Sequence, residues 1–293
     1  MSINFYYMKG NVMNNFNVEN GTKINEVADV IDTEINDEGS SRVSRLNVNN
    51  KFVPEVYSRL RKANRQATPK IIRNASGINI FGRRIKSLVF STDVATLCYT
   101  DADAILAVYP HTPHPAIIEA ITGVASQPVF AGVGGGITKG SRSATIAQFA
   151  EARGAMGIVV NSPTTVETIA LIDEMVDSPI VATVVSQYDD IAGKLAAGVD
   201  ILNVANGKNT ANLVRWIRKH YPTVPIIATG GGNDESIQET IDAGANAISF
   251  APPTNAELFK ELMGKYRTER KEDFMAEHDG MTITEFEKLN EDN

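Results

Sequence analysis

From Ser87 onward, short apolar runs alternate with helical stretches eight times, and no other feature of the 293-residue chain limits its fold so tightly. The runs are SLVFSTD (87–93), AILAVYP (104–110), PVFAGVG (128–134), GIVVNS (157–162), IVATVVS (180–186), DILNVAN (200–206), PIIATGG (225–231) and AISFAP (247–252). Between them lie helical patterns such as SRSATIAQFAEARG, TTVETIALIDEMV, NTANLVRWIRKHY and DESIQETIDAGA, several stopped by a glycine (Gly154, Gly198, Gly244). Near-continuous apolar strands separated by helices describe a parallel sheet covered by helices. Eight such units predict a closed (β/α)8 TIM barrel over residues 87–271. An open doubly wound sheet is the alternative, and eight regular units argue against it. QPVFAGVGGG and VPIIATGGG also parallel each other at a spacing of four units, the pattern of two related half-barrels.

The flanks read differently. Residues 1–50 are rich in Asn, Ser and acidic groups with little periodicity, so most of this segment is expected to be disordered. Residues 51–86 carry ten Lys/Arg against one Glu and predict a basic helix opened by Pro54, then a hairpin turning at Gly82-Arg83. Residues 272–293 form an acidic tail with a short helix, for which Thr284 and Glu287 offer a capping box. The acidic tail is a candidate to dock on the basic segment of its own or a neighbouring chain.

Composition narrows the functional classes. A net charge of −7, with no aromatic stacking set interleaved among the basic residues, argues against nucleic acid as a partner. No apolar run is long enough for a membrane span, the first residues lack a signal-peptide pattern, and Cys98 is the single cysteine. A cytoplasmic address is expected. Exposed faces on the basic segment and Trp216 suit a homo-oligomer.

GVGGGITKGS (132–141) invites a nucleotide reading and then fails it. Lys139 precedes Gly140 instead of following it, so the Walker spacing is broken, and Gly132 and Gly134 are followed by Ile137 where a dinucleotide fingerprint needs glycine. Glycines at the C-terminal end of a barrel strand still allow backbone amides close approach to a ligand, and a helix start behind them favours an anion. Gly134, Gly135, Gly136, Lys139 and Ser141 in the first copy, and Gly230, Gly231, Gly232 and Ser249 in the second, are therefore candidate phosphate or anion ligands. The competing reading is that these glycines only permit tight strand-to-helix turns.

On PVFAGVGGGI and PIIATGGG the chain resembles the phosphate-binding TIM barrels of the ribulose-phosphate-binding type. The wider run RNASGINIFGRRIKSLVFSTD…ADAILAVYPHTPHP is more similar to a family of uncharacterised bacterial barrels often labelled only "hydrolase". The first resemblance implies a small phosphorylated molecule as ligand. It also implies an acid/base role for Asp93, which ends the first barrel strand as an aspartate does in the histidine-biosynthesis members. One departure is plain: SFAPPT follows the eighth strand, and Pro252 and Pro253 donate no backbone hydrogen bond where the family has a Gly-Ser-type turn.

Strand ends are where barrel enzymes place reacting groups. Asp93 is the strand-end carboxylate, a general base or merely the N-cap of the next helix. His111 is placed to shuttle a proton, or is simply an exposed loop residue. Asn161, Ser186, Asn203, Asn206 and Thr229 are candidate substrate contacts. No metal site is expected, since His111 and His114 lie in a proline-rich loop without helical ligand spacing. No barrel strand carries a lysine, which argues against imine chemistry. Three functions compete: an isomerase, epimerase or lyase working on a phosphorylated metabolite; an FMN-binding barrel holding the flavin phosphate at strands seven and eight; and a non-catalytic binding barrel.

Overall fold

A computed structural model describes residues 43–48, 51–56 and 67–291. They fall into two units, Met1–Lys62 and Ala63–Asn293. In the first, β1 (Val43–Val48) and β2 (Lys51–Val56) form an antiparallel hairpin. Pro54 stands opposite Arg45 within that ladder, so it does not open a helix; the remainder of the expected helix, 57–66, lies outside the described residues, as does most of the segment expected to be disordered. Proline fits a two-stranded ribbon because either strand is an edge, where a missing N–H need not break a ladder.

The described part of the second unit opens with a 3-10 turn, Lys70–Asn74, and a hairpin of β3 (Ile78–Ile80) and β4 (Arg83–Ile85) turning at Phe81-Gly82. Eight parallel strands follow: β5 (Ser87–Phe90), β6 (Ala104–Ala107), β7 (Val129–Gly134), β8 (Gly157–Val160), β9 (Ile180–Val184), β10 (Ile201–Val204), β11 (Ile226–Thr229) and β12 (Ala247–Phe250). They close into a barrel, with β12 pairing back onto β5. The eight apolar runs thus supply the eight strands, and β7 and β11, the two glycine-rich ones, lie across the barrel from each other.

The helices between strands are α1 (Val94–Tyr99), α2 (Pro115–Val124), α3 (Ser141–Ala152), α4 (Val166–Asp173), α5 (Ile191–Ala196), α6 (Thr210–His220) and α7 (Asp234–Asp242). Beyond the barrel come α8 (Asn255–Glu277) and α9 (Ile283–Glu291), so one long helix runs through the boundary expected near residue 271. None of the described helices is long and apolar enough to cross a membrane. α9 is capped by Thr282 and Glu285, not by Thr284 and Glu287. Both pairs fit the capping spacing, and the observed one brings Phe286 edge-on to Phe274 and His278 at the end of α8.

Because side chains alternate along each strand, the core divides in two. Val89, Ile105, Ala131, Ile158, Ala182, Leu202, Ala228 and Ile248 face outward and pack with the helices. Leu88, Ala104, Leu106, Phe130, Val159, Val181, Ile201, Ile227 and Ala247 fill the interior, joined by Ile78, Ile80 and Ile85 of the small hairpin. That hairpin plugs the N-terminal end of the barrel, where Gly77 N–H donates to Asn246 O at 2.7 Å. Each fully buried large side chain here contributes about 1.5–3 kcal/mol through removal from water. With one end sealed, access is confined to the C-terminal mouth.

Candidate functional site

Two residues beyond the apolar filling, each strand turns one more side chain inward: Phe90, Val108, Gly132, Asn161, Thr183, Asn203, Thr229 and Ser249. This floor is apolar or bare on the first three strands and neutral polar on the other five. None of the eight carries a charge. Asn203 is 7% exposed, its Nδ2 donating to Thr183 Oγ1 at 3.2 Å, and its Oδ1 is buried without a hydrogen-bond partner. Ser249 is buried and Thr229 is exposed at the end of β11.

Above the floor, the ends of β6, β7 and β8 surround a cavity of about 180 Å³ lined by Tyr109, His111, Gly134, Gly135, Thr138 and Asn161. Its glycines are required. Gly134 and Gly135 have φ of 145° and 138°, and a Cβ on Gly135 would come within 2.5 Å of Asn161 Cβ. The loop is partly closed on itself: Gly135 N–H donates to Thr138 O (2.9 Å), Gly140 N–H to Thr168 Oγ1 (3.0 Å), and Gly134 O accepts from Asn161 N–H (2.9 Å). Beyond it, Ser141 opens α3. That helix has no side-chain cap and no acidic residue in its first turn, and Lys139 and Arg142 stand beside its unfilled amides. Ser143 Oγ and Thr164 Oγ1, packed against Gly134 and Gly135, are buried without partners.

The second glycine loop is built differently. Gly230 N–H is already bonded to Ser249 O at 2.8 Å, and a Cβ on Gly231 would collide with Ser236 Oγ. Asn233 and Ser236 cap α7 reciprocally, and Asp234 and Glu235 occupy its first turn. The Gly230 amide is thus taken, and the helix start behind the loop carries two carboxylates that repel an anion. Close packing accounts for Gly230 and Gly231 without a ligand, whereas a Cβ on Gly232 would meet nothing.

The remaining candidates separate. Asp93 caps α1, its Oδ1 accepting from Thr96 N–H at 2.7 Å and its Oδ2 from Asn255 Nδ2 at 2.9 Å. The bond from the Thr96 amide is the main reason its carboxyl is held below the usual range. It does not line the cavity, whereas His111 does. His114 caps α2 through Nδ1, which accepts from Ala116 N–H at 3.1 Å. Ser186 Oγ accepts from Tyr188 N–H within its turn, and Asn206 opens a 3-10 turn, Gly207–Asn209. Neither belongs to the cavity.

Lys194 is a residue the strand-end reading passed over. It lies on α5, is 4% exposed, and donates through Nζ to Ser162 O (2.9 Å) and Thr183 O (3.3 Å), tying the ends of β8 and β9 together. Burial lowers its pKa, and Asp189 and Asp190 partly restore it. The signal was present: three residues past Ile191, Lys194 falls on the face of α5 that turns inward.

No family model matches the chain, and no curated protein matches it. Solved barrels do. A phosphonopyruvate hydrolase in complex with oxalate and magnesium superposes with a TM-score of 0.50 at 13% identity, covering 73% of this chain and 93% of that one. A 2,3-dimethylmalate lyase of the PEP mutase/isocitrate lyase superfamily gives 0.48 at 13%, covering 72% and 83%. A phosphoenolpyruvate phosphomutase from Streptomyces platensis subsp. rosaceus gives 0.48 at 12%, covering 68% and 84%. The likeness is one of fold.

Proposed function

We propose that the chain is an enzyme acting by acid/base chemistry on a small anionic metabolite bound at the barrel mouth. In this reading Lys139, Arg142 and the first amides of α3 hold the anion, and His111 moves the proton. Isomerase, epimerase or lyase chemistry fits, because each needs a proton carrier and an anchored substrate. The observation that carries the reading is the contrast between the two helix starts: α3 is uncapped with basic neighbours, whereas α7 is capped and acidic. A phosphate monoester is the ligand expected from the sequence resemblance; oxalate serves as the carboxylate probe.

Titration of the protein with inorganic phosphate and with oxalate, followed through the amide resonances of Ser141–Ser143, tests the anion site. Lys139→Ala/Arg142→Ala is expected to weaken binding by about 2–30-fold, in line with 0.3–2 kcal/mol for charge at a helix start. Binding that persists in this variant but tightens in Asp234→Asn/Glu235→Gln would place the anion at α7 and sink the reading. For turnover, His111→Gln is expected to cost about 10²–10⁴-fold on any substrate found.

The uncharged floor supports a second reading, a barrel that binds without catalysis. An unchanged rate in His111→Gln would favour it. The flavin alternative places its phosphate at strands seven and eight, against the α7 carboxylates, and absorption near 450 nm in the purified protein would revive it.

A further inference from the structure

The longest helix among the described residues packs very little. α8 runs for 23 residues, yet none of its side chains is buried. The helix after the eighth strand of a barrel ordinarily joins the outer ring; here the Lys70–Asn74 turn, packed beside α7, buries Ile72 in the outer cluster instead. What α8 presents is an apolar stripe. Phe259, Leu262, Met263 and Tyr266 are 67%, 46%, 43% and 55% exposed, and their spacings of three and four place them on one face. Together they expose on the order of 400 Å² of apolar surface, as much as the largest patch on a typical monomer.

We propose that this stripe is the interface between two copies of the chain, with α8 pairing antiparallel across a two-fold axis between Leu262 and Met263. The stripe is complementary to itself under that operation. Phe259 of one copy meets Tyr266 of the other, and Leu262 meets Met263, so aromatic rings face each other on both sides of the axis. Asn255 and Arg270 lie on the same face at equal distances from the axis and also meet. Asn255 is already bonded to the Asp93 carboxylate, so each end of the pair brings Arg270, which faces Glu277 of its own helix at 3.8 Å, towards a second carboxylate. Roughly 800 Å² of stripe would be covered in the pair. The polar rim around it carries the total towards the 1,200 Å² or so at which stable interfaces begin.

Sedimentation velocity on the full chain tests the pairing. A dimer is expected in the micromolar range, and Leu262→Glu/Tyr266→Glu is expected to run as a monomer with unchanged circular dichroism. Geometry is read separately by cross-linking. Cys98→Ser/Met263→Cys is expected to form a disulfide-linked dimer on mild oxidation, while Cys98→Ser/Glu261→Cys, on the opposite face, does not. A monomeric full chain with uncross-linked Met263→Cys would mean that another part of the same chain covers the stripe, and overturns the proposal. So would a double variant that still dimerises, or equal cross-linking at both positions.

Discussion

Two titratable residues at the barrel rim illustrate opposite kinds of commitment. Asp93 is exposed, and its carboxylate is occupied by the Thr96 amide and Asn255. Asp93→Ala is expected to cost about 1 kcal/mol through loss of the cap, and Asp93→Asn, which can still cap, much less. The folded carboxyl titrates below its ordinary 3.8, so its stabilisation is present above that value and disappears as pH falls through the lower folded pKa. Urea denaturation at several pH values checks both points. Lys194 runs the other way. Its folded pKa is lowered below 10.5, so the buried charge opposes folding at neutral pH and that opposition fades as pH rises towards 10.5. Lys194→Met leaves two carbonyls without a donor at a buried seam and is expected to cost about 1–3 kcal/mol near neutrality. The deficit of Lys194→Met relative to the parent should then widen as pH rises, because only the parent gains. A deficit that shrinks with rising pH would show that the ammonium is better solvated than its surroundings suggest.

Among the elements, the β7–α3 loop is where sequence and structure meet most closely, and where adjacent glycines separate cleanly. Gly135→Ala meets Asn161 and is strained by its φ of 138°, whereas Gly136→Ala has only Pro163 Cγ at 3.8 Å and a left-handed φ of 67°. Gly136→Ala is expected to cost about 1–2 kcal/mol. Gly135→Ala should cost more and also weaken anion binding at the mouth, since Asn161 must move; matched thermal melts and phosphate titrations of the two variants compare them. The eight barrel strands were legible because each is an apolar run bounded by turn residues, a pattern that burial on both faces imposes directly. The unequal fates of the two glycine loops were not legible, because GVGGGITKG and ATGGGND look alike until Asn233 closes a cap and Gly135 folds back on Thr138. Lys194 escaped notice for a related reason: the pairing of Ser162 O with Thr183 O across β8 and β9 exists only once the strands are aligned. Pro54 reads equally well as a helix opener and an edge-strand residue, and only the partner strand decides.

At the scale of the whole molecule, the barrel is sealed below by a hairpin and open above, and its longest helix contributes no buried side chain to it. Helix and barrel should therefore be separable in stability. A chain ending at Pro253 removes α8 and α9, including the Phe274, His278 and Phe286 cluster, which packs only within that pair of helices among the described contacts. Its barrel loses the Asn255 bond to Asp93 and whatever the half-buried Leu258 covers. Losses of that size, about 1–2 kcal/mol, correspond to a fall in Tm of about 2–8 °C in a domain this large. The fair comparison is with the monomeric Leu262→Glu/Tyr266→Glu variant, because self-association stabilises the parent by mass action. Calorimetry of the two monomers side by side decides the point. A small difference means that α8 is held for assembly, while a truncated chain that fails to fold would mean that the eighth helix stabilises the barrel through contacts its exposed side chains do not reveal.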